Sequence, residues 1–384
     1  MRALLLNAKD KSAIVQTIPR PVPQNGELLI RVEAIALNPV DSLYVFNPLG
    51  ETGRIVGSDF SGTVVESNST TQQVGQRVAG FLQGACSIND RPGAFAEYIV
   101  CPADLLWRVP DSMTLEEAAT VSLCALTAAQ GLFYRLGMRA PFSWTDTRGD
   151  PPSSESRGDG IVPPFSVFIY GASTSVGMYA AQLVRRSAEA SGVAVKLIGA
   201  ASKARFPLLQ AEPYTYDALV DYRDSNWSDQ VRMLTGAANG VDFVYDCISE
   251  GATVKMASST LRDGGKMAIV RSREGGAFDS EGLNVEPVYG AVWEAFGVEI
   301  QYQNLVVPPS HQARAFAGAF YTWLSSGPRL VPNPVRRMPG SLERIVPDGF
   351  ALLGSGSMQD RAQHREEPHM KPVSAEKLVY SIAP

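Results

Sequence analysis

The sequence predicts an α/β protein in which a doubly wound parallel sheet is joined to a second, β-rich and barrel-like domain. Three observations carry this expectation. Short β-branched runs alternate with turns up to about Val109, apolar strands and helices alternate beyond Phe165, and the chain has 384 residues. That length exceeds one ordinary core and implies two domains of roughly 100–200 residues each. With 45% hydrophobic and 19% charged residues the chain is globular rather than disordered or fibrous. A formal net charge of −5 supplies no basic field for nucleic acid.

Arg2-Ala3-Leu4-Leu5-Leu6 reads as a first strand, because Lys9, Asp10 and Lys11 end the apolar run well short of a signal-peptide core. Leu28–Val32, Gly62–Val65, Arg77–Phe81 and Phe95–Val100 follow as short strands of a compact antiparallel barrel. From Leu115 to Leu136 the pattern becomes an Ala-rich helix, preceded by Ser112-Met113-Thr114, with Glu116 and Glu117 in its first turn. The 24 residues Pro141 to Pro164 hold five prolines, three glycines and four serines, half the segment, and form a long insertion expected on the surface.

Beyond it, strands are expected at Phe165–Tyr170, Val193–Ala200, Ala218–Val220, Val241–Asp246 and Lys266–Val270, with helices at Thr174–Ala190 and Lys203–Gln210. Such apolar runs suit a parallel sheet covered on both faces. The uncharged stretch Gly160 to Val184 has the length of a membrane span, but Pro163-Pro164 and the turn Gly171 to Gly177 divide it, so no membrane association is expected. The tail from Gly327 is rich in Pro and Arg. Leu342–Leu353 reads as a helix, Ser355–Pro372 as a loose segment and Lys377–Tyr380 as a closing strand. Cys86, Cys101, Cys124 and Cys247 lack the spacing of a zinc pair, are too few for a disulfide framework, and suit a reducing cytoplasm.

Strand Phe165–Tyr170 runs into Gly171-Ala172-Ser173-Thr174-Ser175-Val176-Gly177 and then into a helix. Small residues here let backbone N–H groups at a helix N-terminus approach a pyrophosphate. By itself the turn is equally a tight βα connection, and Thr174 stands where the middle glycine of a dinucleotide fingerprint is usual. The end of the second strand says more. An NAD site places Asp or Glu there for the ribose hydroxyls. Ala200-Ala201-Ser202-Lys203-Ala204-Arg205 instead offers a hydroxyl, an ammonium and a guanidinium, which suit the 2′-phosphate of NADPH. Tyr222, after the third strand, adds a phenolic donor.

The order of motifs resembles the medium-chain dehydrogenase/reductase superfamily in its zinc-free quinone-oxidoreductase and enoyl-reductase branch. The landmarks are Val32 to Asp41 (VEAIALNPVD), Gly57 to Gly62 (GSDFSG), Val74 to Val78 (VGQRV), Gly93 to Tyr98 (GAFAEY), and Thr127-Ala128 with Leu132. The insertion, Thr174 and Asp221-Tyr222-Arg223 are most similar to the trans-acting enoyl reductases of fungal polyketide synthases. This resemblance implies a GroES-like β-barrel catalytic domain at residues 1–125, completed by a return at 326–384, and a Rossmann-type NADPH-binding domain at 126–325.

It also implies dinucleotide contacts at Val40, Asp41, Ser42 and Leu43 near the nicotinamide, and at Ser173, Thr174, Ser175 and Val176 along the pyrophosphate. Ser202, Lys203, Ala204, Arg205 and Tyr222 fall at the adenosine phosphate, and Val270, Arg271, Leu378 and Val379 complete the set. An acyl chain is expected along Thr127, Ala128, Ala129, Gln130, Gly131, Leu132, Phe133 and Tyr134, and along Gly290, Ala291, Val292, Trp293 and Glu294. A zinc-dependent relative would carry a Cys near Asn38–Asp41 and Gly-His-Glu at Gly57-Ser58-Asp59. Both are absent, so no metal is expected, and His311, His364 and His369 are late and expected at the surface.

The implied reaction delivers hydride from NADPH to the β carbon of an enoyl thioester carried by a polyketide synthase, either free-standing or fused to a peptide synthetase. Asp41, Asp59, Tyr44 and Tyr134 are positional candidates for a proton donor, none of them assigned. Reduction of free quinones or enones, and a non-catalytic NADPH-binding module, stay open beside this reading. Arg148 and Arg157 in the insertion, or Arg329, Arg336 and Arg337 in the tail, are expected to dock an acidic acyl carrier domain. A monomer is compatible with the sequence.

Overall fold

The ten-residue strand Glu27–Ala36 organises the first part of the chain in the computed structural model, which describes residues 1–144, 164–236, 239–275, 278–327, 329–358, 360–361 and 365–382. Ahead of it, β1 (Arg2–Asn7) and β2 (Ser12–Thr17) pair antiparallel and bury Ala3 to Leu6. Glu27–Ala36 is β3, followed by α1 (Pro39–Phe46), β4 (Asp59–Ser67) and β5 (Arg77–Phe81). The strand β6 (Tyr98–Pro102) returns to the first half of β3, and β7 (Leu106–Arg108) pairs with β5. Two register shifts bend β3 against β4. Gly62 permits the tight crossing, since a Cβ there would lie 2.0 Å from the Arg31 carbonyl oxygen. Helix α2 (Leu115–Ala119) starts at a capping box of Thr114 and Glu117.

After α3 (Ser122–Ala129) the chain makes a π-helical turn, Gln130–Arg135. The second unit is then laid down as β8 (Phe165–Tyr170), α4 (Ser175–Ser191), β9 (Val195–Ala201), α5 (Phe206–Gln210), β10 (Ala218–Asp221), α6 (Trp227–Leu234), β11 (Val241–Asp246), α7 (Thr253–Ser258), β12 (Leu261–Ile269) and β13 (Val288–Tyr289). Its strands are all parallel in the order β10-β9-β8-β11-β12-β13, the doubly wound arrangement of dinucleotide-binding folds. Phe168, Ile198, Val220, Val244 and Met267 fill a core in which the Phe168 ring stacks on Trp227 at 5.5 Å.

The chain then adds β14 (Ile300–Gln301), β15 (Val306–Val307), α8 (His311–Ser325), β16 (Val335–Arg337), α9 (Ala351–Leu353) and β17 (Lys377–Ser381). Strand β17 lies between β16 and β3 in a seven-stranded sheet. The two compact units are residues 1–123 with 293–384, and residues 124–292. Residues 293–325, expected with the nucleotide-binding part, therefore group with the first unit. The reason is aromatic packing: Phe81 meets Trp293, Phe296 and Tyr321 at 5.8, 5.1 and 6.4 Å, while Arg314 pairs with Asp104 at 2.7 Å.

The helix expected at Leu342–Leu353 is composite. A 3-10 turn (Leu342–Arg344) and a π-helical turn (Ile345–Phe350) precede α9, and Pro347 lacks the N–H that a regular helix would use there. One of the tail cations departs from the docking expectation. Arg336 is buried, and its guanidinium donates to the carbonyl oxygens of His369, Lys371 and Pro372 and to the Glu376 carboxylate. Arg337 is exposed and faces Glu116 at 3.6 Å. Arg148, Arg157 and His364 lie outside the described residues, as does most of the insertion. His311 is exposed, whereas His369 is partly covered and lies 3.7 Å from Asp348. Among the described residues no helix is long and apolar enough to cross a membrane.

Candidate active site

At the carboxyl end of β8 the chain turns through Gly171, whose φ of +75° suits a residue without a side chain. Thr174, which replaces the expected glycine, is the N-cap of α4, and its hydroxyl accepts the Gly177 amide at 3.0 Å. A Cβ on Gly177 would fall 2.3 Å from the Gly171 carbonyl oxygen, so the helix start lies hard against the preceding loop. Ser173, Thr174, Ser175 and Val176 are half-buried around this N-terminus. Small side chains at a helix N-terminus fit a diphosphate.

Strands β9 and β10 end side by side, with Ala201 opposite Asp221, so Ser202–Arg205 and Tyr222 emerge at one edge. Lys203, Ala204 and Tyr222 are exposed; Ser202 and Arg205 are half-buried. The end of the second strand carries no carboxylate, but the neighbouring strand brings one beside it. Asp221 is buried and accepts the backbone amides of Arg223 (3.0 Å) and Lys203 (3.3 Å). The Arg223 amide bond is the main cause holding its pKa below the ordinary carboxylate value, with the Lys203 amide and the two cations adding to it. The Arg223 guanidinium lies over the Tyr222 ring at 5.1 Å.

Asp246, at the end of β11, was not singled out from sequence. It accepts the amides of Ile248 and Ser249 and the Thr253 hydroxyl, each at 2.8 Å, and burial raises its pKa. The Ser249 hydroxyl in turn accepts the Val270 amide at 3.1 Å, and Arg271 pairs with Glu250 at 3.0 Å. Val270 and Arg271 are thereby tied to the loop after β11.

Thr127 to Ala129 lie in α3 and Gln130 to Tyr134 in the π-helical turn, all buried except the half-buried Thr127. The Tyr245 hydroxyl donates to the Thr127 carbonyl at 2.9 Å, and a Cβ on Gly131 would come within 2.7 Å of the Tyr245 ring. Gln130 is 2% exposed, and neither amide atom has a hydrogen-bond partner among the described residues. The two expected acyl segments meet where a Cβ on Gly290 would lie 2.8 Å from Arg135 Nε. Ala291 and Val292 are buried in the same unit, whereas Trp293 and Glu294 are buried in the first.

The first unit contributes a buried polar chain that sequence reasoning did not assemble. The Asn38 backbone amide donates to Asp41 Oδ2 (2.7 Å), and Asn38 Nδ2 donates to Ser58 Oγ (2.9 Å) and Asp59 Oδ2 (2.8 Å). Ser58 Oγ donates to Asp41 Oδ1 at 2.8 Å, and Asp59 accepts the Leu123 amide at 2.8 Å and Lys377 Nζ at 2.5 Å. Burial dominates at Asp41 and raises its pKa from 3.8 to about 7, against the opposing bonds from the Asn38 amide and the Ser58 hydroxyl. Val40, Ser42 and Leu43 ride on α1, while Leu378 and Val379 follow Lys377, so this network links two segments expected to contact the dinucleotide. The Leu37 amide also donates to the Leu378 carbonyl at 2.9 Å. Of the other positional acids, Tyr44 stacks on Tyr302 at 6.3 Å and Tyr134 is buried. Ser58 and Asp59 are committed to these bonds, and no three His, Cys, Asp or Glu side chains gather around a common point among the described residues.

Residues 24–111 match the alcohol dehydrogenase GroES-like domain, and residues 175–288 match the domain described as zinc-binding dehydrogenase. The trans-enoyl reductase traG of Penicillium crustosum is 28% identical over 389 residues, covering 99% of this chain and 96% of its own. The trans-enoyl reductase caaB of Aspergillus niger gives the same identity and coverage. Among solved structures, the CurK enoyl reductase superposes with a TM-score of 0.66 at 17% identity, over 100% of this chain and 99% of that one. A mycobacterial protein complexed with NADPH superposes with a TM-score of 0.63 at 22% identity, over 99% of both chains. With a GroES-like domain followed by a dehydrogenase nucleotide-binding domain and relatives similar from end to end, the chain belongs to the medium-chain dehydrogenase/reductase superfamily.

Proposed function

We propose that the protein is a trans-acting enoyl reductase that uses NADPH to saturate the α,β double bond of an acyl thioester held on the carrier domain of a polyketide synthase. The observation that carries this reading is the end-to-end similarity to proteins named trans-enoyl reductases. NADPH, when bound, supplies the hydride that adds to the β carbon, and a proton adds to the α carbon. The Gly171–Gly177 turn would hold the diphosphate. Lys203, Arg205 and Tyr222 would meet the 2′-phosphate, because Asp221 spends its carboxylate on two backbone amides. Asp41 uses both carboxyl oxygens within the first unit, so its part is to hold α1, and water is the source of the α proton in this reading.

The test is loss of NADPH absorbance with a trans-2-enoyl N-acetylcysteamine thioester and, separately, with a simple quinone. Turnover of the thioester at least tenfold faster than the quinone is expected. Preference for the quinone would make the protein a general reductase, and turnover of neither would leave a binding module.

A further inference from the structure

The first residues of the Pro/Ser-rich insertion fold back onto the π-helical turn. Phe142 meets Phe133 edge to face, with ring centroids 6.0 Å apart, and Trp144 lies against Tyr134 at 5.4 Å. Phe133 and Tyr134 are buried, whereas Phe142 and Trp144 are half-buried. The Arg135 guanidinium covers the Tyr134 ring at 4.8 Å, and Gly290 approaches Arg135 so closely that a Cβ would meet its Nε. Both segments expected to follow the acyl chain therefore converge on this aromatic group. Turns of this kind are frequent at functional sites. At its start, Gln130 keeps a buried carboxamide without a partner among the described residues, an arrangement that is unfavourable unless a ligand or water group meets it.

We propose that Phe142 and Trp144 are specificity residues that, together with Tyr134, form the wall along which the distal, apolar part of the acyl chain lies. The inference rests on the enoyl-thioester reading above. Aromatic rings supply broad apolar contact with few rotatable bonds to immobilise. The cation beside them, Arg135, already lies on the Tyr134 ring, which suits a hydrocarbon chain at this wall rather than an anion. Each methylene moved from water onto such a surface changes affinity about fourfold. The contribution of the wall therefore grows with chain length, a signature that a purely structural aromatic cluster lacks.

The experiment compares kcat/KM for four-carbon and ten-carbon trans-2-enoyl N-acetylcysteamine thioesters at saturating NADPH. Trp144→Ala and Phe142→Ala are each expected to lower the ten-carbon to four-carbon ratio about tenfold, chiefly through KM, while Trp144→Phe keeps the ratio within about twofold of the unmodified protein. If Trp144→Ala does not fold, Trp144→Leu is read the same way. An unchanged ratio, including equal losses on both substrates, overturns the inference alone. Unmodified protein that reduces neither thioester overturns the enoyl-reductase reading and the inference with it.

Discussion

Lys377 Nζ lies 2.5 Å from Asp59 Oδ2, with side chains 2% and 0% exposed, and joins the last strand to the start of β4. Two desolvated charges gain little over an apolar pair, yet removing one strands the other. Lys377→Met is accordingly expected to lower unfolding free energy by about 3–5 kcal/mol. Adding Asp59→Asn to it should restore part of the loss, because no bare charge then remains. Urea unfolding of the single and double variants decides the matter, and additive losses would contradict the coupling.

Asp41 gives stability a pH dependence of known sign. A carboxyl whose folded pKa is raised from 3.8 to about 7 contributes stability that is fully present below about pH 4 and lost as pH rises through 7. The full effect between those limits is up to about 4 kcal/mol. Asp41→Asn lacks the titration, so its stability relative to the unmodified protein should increase from pH 5 to pH 8. Denaturant unfolding at the two values measures this, and a constant difference would show that Asp41 does not titrate there.

At the adenosine edge, Lys203→Ala and Tyr222→Phe should each weaken NADPH about tenfold or more, in line with 1.5–3 kcal/mol for a hydrogen bond to a charged group. NADH, which lacks the phosphate, should lose less than about threefold. Calorimetric titration with both dinucleotides is sufficient. Equal losses would remove these residues from phosphate recognition.

Gly177→Ala forces a Cβ to within 2.3 Å of the Gly171 carbonyl, a backbone atom that cannot swing aside. Overpacking of this kind costs about 1–3 kcal/mol and should displace the first turn of α4, reducing dinucleotide affinity at least about tenfold. Thr174→Gly, in contrast, should change stability by only a few tenths of a kcal/mol, since glycine is an acceptable N-cap. Wild-type affinity in Gly177→Ala would mean that the close approach plays no part in binding.

The features readable from the sequence are those encoded locally. The turn Gly171 to Gly177 sits between an apolar strand and an amphipathic helix, and β8 to β12 appear as apolar runs because both faces of their sheet are covered. The Asn38–Lys377 network was not readable, as Lys377 and Asp59 are 318 positions apart and nothing near either names the other. Arg336 misled for a related reason. A cationic tail residue resembles a surface charge until three backbone carbonyls and Glu376 are folded around it. The assignment of residues 293–325 to the first unit likewise depends on Phe81, more than two hundred positions earlier.

The placement of β17 between β16 and β3 also sets an order of events during synthesis. Residues 124–292 carry all the strands of their own sheet and can fold as soon as they are made. The first unit must wait for residues 377–381, and until then Ala34-Ile35-Ala36 presents an unpaired, apolar strand edge. Open edges of this kind recruit other chains. The nascent protein therefore spends the time needed to translate the 250 or so residues between Leu123 and β17, roughly 12–50 seconds at 5–20 residues per second, with its earliest sheet unfinished. Slow translation or early termination would expose that edge for longer or permanently, making aggregation rather than simple loss of activity the characteristic failure of a chain cut short of Val379.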